Sequence, residues 1–97
     1  MAYFLFLREP YENTPSDPIL TFFRRKGFAV DTSGAGDYVR GELIVTFSGR
    51  GRKVGIISPN LADLSEIVRG LQPQRILNTL GKDVSDQFDS NGNYMQA

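Results

Sequence analysis

Arg50, Arg52 and Lys53 lie within four consecutive positions, interleaved with Gly49 and Gly51. Three cations on a glycine-rich turn have the chemistry to engage phosphates or carboxylates, because glycine lets the backbone approach a ligand closely. Such a turn also has a purely structural use, since charges at a hairpin tip discourage edge-to-edge aggregation. A second cluster, Arg24-Arg25-Lys26, ends a helical pattern, where cations complement the partial negative charge of a helix C-terminus. Tyr38 and Arg40 lie between the two clusters and would add a stacking surface. These eight residues form the candidate partner-binding set. The two clusters matter most if the fold brings them together, which spacing alone does not decide.

Other chemistry is restricted by composition. The chain has no Cys, His or Trp. Disulfides, thiolate nucleophiles and His-containing triads are therefore ruled out, and zinc loses its two favoured ligands. The acids Glu9, Glu12, Asp31, Asp37, Asp63 and Asp83 are scattered, with no spacing that implies a Mg²⁺ or Ca²⁺ site or a catalytic carboxylate pair. The sequence reading is a non-enzyme with no metal and no cofactor.

Three partial motifs fail on their own residues. Gly34-Ala35-Gly36 begins a dinucleotide fingerprint, but position 39 is Val and no helical pattern follows. Gly81-Lys82 resembles the end of a phosphate loop, but Ile76 replaces the earlier glycine and Asp83 the Ser or Thr. Asp89, Asn91 and Asn93 alternate like the opening of a Ca²⁺ loop, but Met95 replaces its glycine.

The elements that would position the candidates are well marked. The segment 42–58 reads as a β-hairpin. Leu43, Val45 and Phe47 share one strand face, while Ile44, Thr46 and Ser48 share the other. On the return strand, Val54 and Ile56 oppose Gly55 and Ile57. The linker Ser48–Arg52 is too long for a two-residue turn, and it carries Arg50, Arg52 and Lys53 outward.

Tyr3–Arg8 reads as a strand with apolar residues on both faces, which predicts a central position covered on both sides. Asp17 is the expected N-cap of a helix that begins at Pro18 and carries Ile19, Leu20, Phe22 and Phe23. Gly27 is its expected C′ residue, with Phe28 packing back on Phe23. Phe28–Asp31 is a second strand, which opens a right-handed β-α-β crossover if it runs parallel to the first; an antiparallel arrangement is equally open. Thr32–Gly36 is a loop, and Asp37–Gly41 leads into the hairpin.

Asn60 begins the next helix, with Asp63 completing a capping-box-like pair. Leu61, Leu64, Val68 and Leu71 recur at helical spacing, and Gly70 marks the end. Pro73 starts a short third helix carrying Ile76, Leu77 and Leu80.

The order β-α-β-β-β-α-α predicts a single α+β domain over residues 1–88, with about four strands backed by helices, and a flexible tail over 89–97. The expected core is Tyr3, Leu5, Leu7, Ile19, Phe23, Phe28, Leu43, Val45, Phe47, Val54, Ile56, Leu61, Leu64 and Val68. Phe4, Phe6 and Phe22 are also read as core rather than base-stacking residues.

Eleven basic and eleven acidic residues cancel, so no global field favours nucleic acid or membrane. The balance is uneven along the chain. Residues 24–53 carry seven basic and three acidic groups, while each flank has two acids in excess. The N-terminal apolar run meets Arg8 and Glu9 at once and does not resemble a signal peptide, and no run is long enough for a membrane span. The expectation is a cytoplasmic protein-binding module: a small inhibitor, adaptor or complex subunit of the kind that phage or plasmid accessory proteins provide, with the hairpin tip and an exposed sheet edge as contacts. The alternative is a nucleic-acid-binding module using the first helix end and the 48–53 hairpin tip. Homo-oligomerisation is open in both readings.

Overall fold

The computed structural model describes residues 1–12, 14–30, 37–47 and 51–95. Six antiparallel strands make one sheet: β1 (Ala2–Tyr11), β2 (Ala29–Val30), β3 (Asp37–Arg40), β4 (Leu43–Phe47), β5 (Gly51–Ile57) and β6 (Arg75–Asn78). Two short helices, α1 (Pro18–Arg25) and α2 (Ser65–Leu71), join it, with a 3₁₀ turn at Leu61–Leu64 running into α2. The sheet order is β2-β3-β4-β5-β1-β6. The fold is α+β, as expected, but the sheet has six strands rather than about four.

The register explains the two faces. Val45 pairs with Ile56, Phe47 with Val54, Tyr3 with Ile56, and Leu5 with both Val54 and Ile76. All of these side chains are buried. Leu20 and Phe23 of α1, Leu64, and Ile67 and Val68 of α2 complete the same cluster. Edge-to-face rings knit it together: Phe23 meets Phe47 at 5.5 Å and Phe28 at 5.3 Å between centroids, and Tyr11 meets Phe47 at 5.2 Å. Each such pair adds roughly 0.5–1.5 kcal/mol beyond simple burial.

The start and end of α1 follow its sequence signals. An Asp17 carboxylate oxygen accepts the Ile19 N–H at 2.8 Å, and the other accepts the Glu12 N–H at 2.7 Å. Gly27 has φ +90°, Phe28 N–H donates to Phe23 O at 3.0 Å, and Gly27 N–H donates to Arg24 O at 3.0 Å. Those two bonds define a Schellman close. Four successive antiparallel pairings leave β2 parallel to β1, so β1, α1 and β2 form a crossover within one sheet, but not between neighbours: three strands lie between them.

Three expectations are corrected. Asn60 makes no side-chain cap. Instead the buried Ser58 hydroxyl donates to Asn60 O at 2.7 Å and accepts the Asn60 N–H at 3.3 Å. Gly70 does not end α2, which continues to Leu71 and closes on Gln72 in the left-handed region, φ 47°. Its lack of a Cβ has another use: a Cβ at Gly70 would lie 2.1 Å from the Phe22 ring, so the glycine lets α1 pack against the backbone of α2. The third helix expected after Pro73 is instead strand β6, whose Ile76 and Leu77 pair with Leu5 and Phe4. Strand pairing overrides a short apolar pattern that fits either element.

Residues 88–95 fold back against α2. Phe88 and Tyr94 form a β-bridge, Arg69 donates to the Asn93 side-chain oxygen at 2.7 Å, and the Tyr94 N–H donates to Ser65 Oγ at 3.1 Å. Gly92, φ +85°, sits against Arg69, where a Cβ would come within 2.8 Å of backbone.

Candidate binding surface

Strand alternation sends the other half of the sheet's side chains away from the helices. On β1 these are Ala2, Phe4 and Phe6; on β5, Lys53, Gly55 and Ile57; on β4, Ile44 and Thr46; on β6, Arg75 and Leu77. None of them belongs to the buried core, and Ile57 is 47% exposed. The expectation that β1 is covered on both sides is therefore wrong. It is interior in the sheet, between β5 and β6, but among the described residues no helix covers its other face, where Phe4 and Phe6 are only half-buried. Two helices of eight and seven residues suffice for one face only.

Phe4 and Phe6 are the centre of this face, not core residues. Phe6 lies directly across from Lys53 on one side and from Arg75 on the other. The Lys53 ammonium leans over the Phe4 ring at 4.7 Å from its centroid, and the Arg75 guanidinium covers the Phe6 ring at 4.7 Å. Each contact is worth about 0.5–1 kcal/mol when exposed. Among the described residues, neither cation has a carboxylate oxygen within 4.0 Å. Beside them, a hollow of about 270 Å³ is lined by Ala2, Phe4, Thr46, Lys53, Gly55, Ile56 and Ile57. Gly55 forms part of its floor.

The eight residues singled out by type and spacing scatter. Arg50 lies outside the described residues. Arg52 and Lys53 alternate to opposite faces of β5, so only Lys53 reaches the open face. Arg40 ties three elements together. It donates to Lys26 O at 2.7 Å, forms an ion pair with Glu66, and stacks over Phe28 at 4.7 Å. Tyr38 is 7% exposed and packs edge-on to Phe47, so its ring offers no stacking surface to a partner. Arg24 turns back to Pro15 O and Thr21 Oγ1, Lys26 lies over Phe22 at 5.6 Å, and Arg25 is exposed.

Lys26 and Arg40 stand at the opposite end of the sheet from Gly51–Lys53. Arg40 and Lys26 lie at the Leu43 end of the β3–β4 ladder, whereas Gly51–Lys53 adjoin the Phe47 end of β4–β5. Sequence reasoning missed Phe4, Phe6, Gly55 and Arg75. A signal for Phe4 and Phe6 exists: a chain this short with this many strands has too little helix to cover two faces.

A wider polar cleft of about 540 Å³ lies between the β3–β4 turn and α2, lined by Arg40, Glu42, Leu43, Ala62, Asp63, Ser65, Glu66 and Arg69. Its principal charged contact is the Arg40–Glu66 pair, which joins β3 to α2. Among the described residues no three acids converge as a metal site would require. Two carboxyls are held below their ordinary value. For Asp83 the cause is first the Ser85 side-chain and backbone hydrogen bonds, helped by the charge of Arg75; for Asp89 it is above all the Asn93 N–H. Both serve local turns. No described helix is long and apolar enough to cross a membrane. No protein-family model, curated protein or solved structure matches this chain.

Proposed function

We propose that this chain is a non-enzymatic protein-binding module that acts by occupying a partner's surface through the open face of its sheet. The observation that carries the reading is the Phe4–Phe6 pair under Lys53 and Arg75, beside an apolar hollow, on the face the helices leave uncovered. Contiguous apolar surface rimmed by charge is characteristic of interaction sites.

The edges of the sheet serve this reading less well than its face. At one edge β2 has two residues. At the other, β6 receives return bonds from the chain that follows it, with Asn78 N–H donating to Lys82 O and Val84 N–H to Ile76 O. Short or covered edges resist strand addition.

Photo-cross-linking in the native host tests the reading. A photoreactive residue at Thr46, on the open face, is compared with one at Ala62, exposed on the helical side. Discrete protein adducts from position 46 and not from 62 are expected. Adducts equal at both positions, or formed with nucleic acid alone, would overturn it.

A further inference from the structure

Gly55 is an unexplained residue in the middle of a strand. It pairs with Phe4 on β1 and Thr46 on β4. Glycine weakens a strand and often marks a place where something approaches closely. Here the fold itself does not call for it. A Cβ at Gly55 would meet the Phe4 ring at 3.8 Å and Thr46 O at 3.9 Å, which are ordinary contacts, and Gly55 is not among the glycines with positive φ. What the missing side chain does create is the hollow on the open face, walled by Phe4, Ile57 and the stem of Lys53.

Resting on the binding-module reading, we infer that this hollow receives an apolar side chain of an acidic segment of a partner protein, with flanking carboxylates of that segment meeting Lys53 and Arg75. The charge on the face is complementary to such a segment. The two cations border apolar surface and have no carboxylate within 4.0 Å among the described residues. They stand on strands two apart, roughly 10 Å at the usual strand spacing, which is about three residues of an extended chain. Side chains of an extended segment share a face at every second position, so carboxylates four positions apart, about 13 Å, reach both long cationic side chains, and the apolar residue midway lies over Phe6, which Lys53 and Arg75 flank, next to the hollow.

Other occupants fit less well. Stacked bases need open ring faces, and here each Phe already carries a cation 4.7 Å from its centroid, so a base would have to displace it. A second copy would bring the same two cations. Its open-face carboxylates among the described residues are already engaged: Asp37 accepts from the Thr46 hydroxyl at 3.0 Å, and Asp83, bridged to Leu77, accepts the Ser85 N–H at 2.8 Å within the field of Arg75.

The test is an NMR titration of the ¹⁵N-labelled full chain with three probes: a short synthetic peptide carrying two glutamates on either side of a leucine, the same peptide with lysines for glutamates, and single-stranded oligothymidine. The acidic peptide is expected to shift the amides of Phe4, Phe6, Lys53, Gly55, Ile57 and Arg75, and the basic peptide to leave them unmoved. The double variant Lys53→Glu with Arg75→Glu should weaken the acidic peptide by about tenfold and admit the basic one. Gly55→Val fills the hollow with a residue suited to strands. It should abolish binding while its spectrum stays dispersed and its unfolding midpoint does not fall.

Binding of oligothymidine to the same amides in preference to the peptide would overturn the inference, as would concentration-dependent shifts there without any probe. So would acidic-peptide shifts confined to the helical face, or none at millimolar peptide. If position 46 still cross-links to protein while the acidic peptide fails, the binding-module reading stands and the acidic-partner inference falls.

Discussion

The two faces of β1 use nearly the same residues to different ends. Tyr3, Leu5 and Leu7 point toward the helices and are at most 5% exposed. Phe4 and Phe6, their immediate neighbours, point the other way and are half-buried, with Lys53 and Arg75 laid across them. Residue type is therefore not what separates core from surface here. The separation comes from the supply of cover: α1 and α2 lie on one side, and on the other side cation stems and Ile57 take their place. Long cationic side chains can shield apolar surface while keeping their charges in water. A face built this way keeps its charges hydrated, and it is that water which the carboxylates of the proposed partner would replace.

The comparison breaks if truncation costs the same on both faces. Leu5→Ala removes a fully buried side chain and should cost about 3 kcal/mol. Phe6→Ala removes a larger side chain but should cost only about 1 kcal/mol. Urea unfolding of the two variants reads the difference directly. Equal losses would mean that the open face is covered in solution.

Next in size is the close approach that lets the two helices share one face. Gly70→Ala should destabilise by about 1–2 kcal/mol, despite alanine's better helix propensity, because its Cβ would enter the Phe22 ring. Combining it with Phe22→Leu should recover part of the loss, and the double-mutant cycle measures the coupling.

Smaller again is the contrast between two arginines that resemble each other in sequence. Arg40→Ala removes a hydrogen bond, an ion pair and a ring contact that join β3 to both helical segments, and should cost about 1 kcal/mol. Arg52→Ala, at an exposed position, should stay within about 0.5 kcal/mol. Thermal unfolding of both variants checks the order.

The smallest effect is expected in acid. The Asp89 carboxylate accepts the N–H groups of Asn91 and Asn93, both at 2.9 Å, and is held below its ordinary value mainly by the Asn93 N–H. A depressed value means that the carboxylate's contribution is present above the ordinary carboxylate range and lost as pH falls through the lowered value. Acidification through that window should move the Asn91 and Asn93 amides and loosen the 88–95 turn before the sheet responds. Two-dimensional NMR across the titration would show it.

Much of the scaffold was legible from local signals. Asp17, Pro18, Gly27 and Phe28 each do at the ends of α1 what their chemistry suggests. The alternation in 43–57 correctly divides Leu43, Val45, Phe47, Val54 and Ile56 from Ile44, Thr46, Gly55 and Ile57. Non-local pairing was what local patterns could not reveal. Ile76 and Leu77 suit a helix as well as a strand until β1 is there to pair with them. Arg40 and Arg24 look like free cations until the fold supplies carbonyls for both and Glu66 for Arg40. Phe4 and Phe6 look like core until the covering elements are counted, and Arg75 attracts no notice because it stands alone in sequence.

The most direct test of the open face is the accessibility of side chains in solution. A soluble paramagnetic agent, added to the protein with labelled aromatic and methyl groups, broadens resonances near solvent. The Phe4 and Phe6 rings and the Ile57 methyls should lose intensity together, while Tyr3, Leu5 and Leu7 remain protected. Protection of Phe4 and Phe6 equal to that of Leu5 would mean that this face is covered, and the account of the binding surface would be wrong.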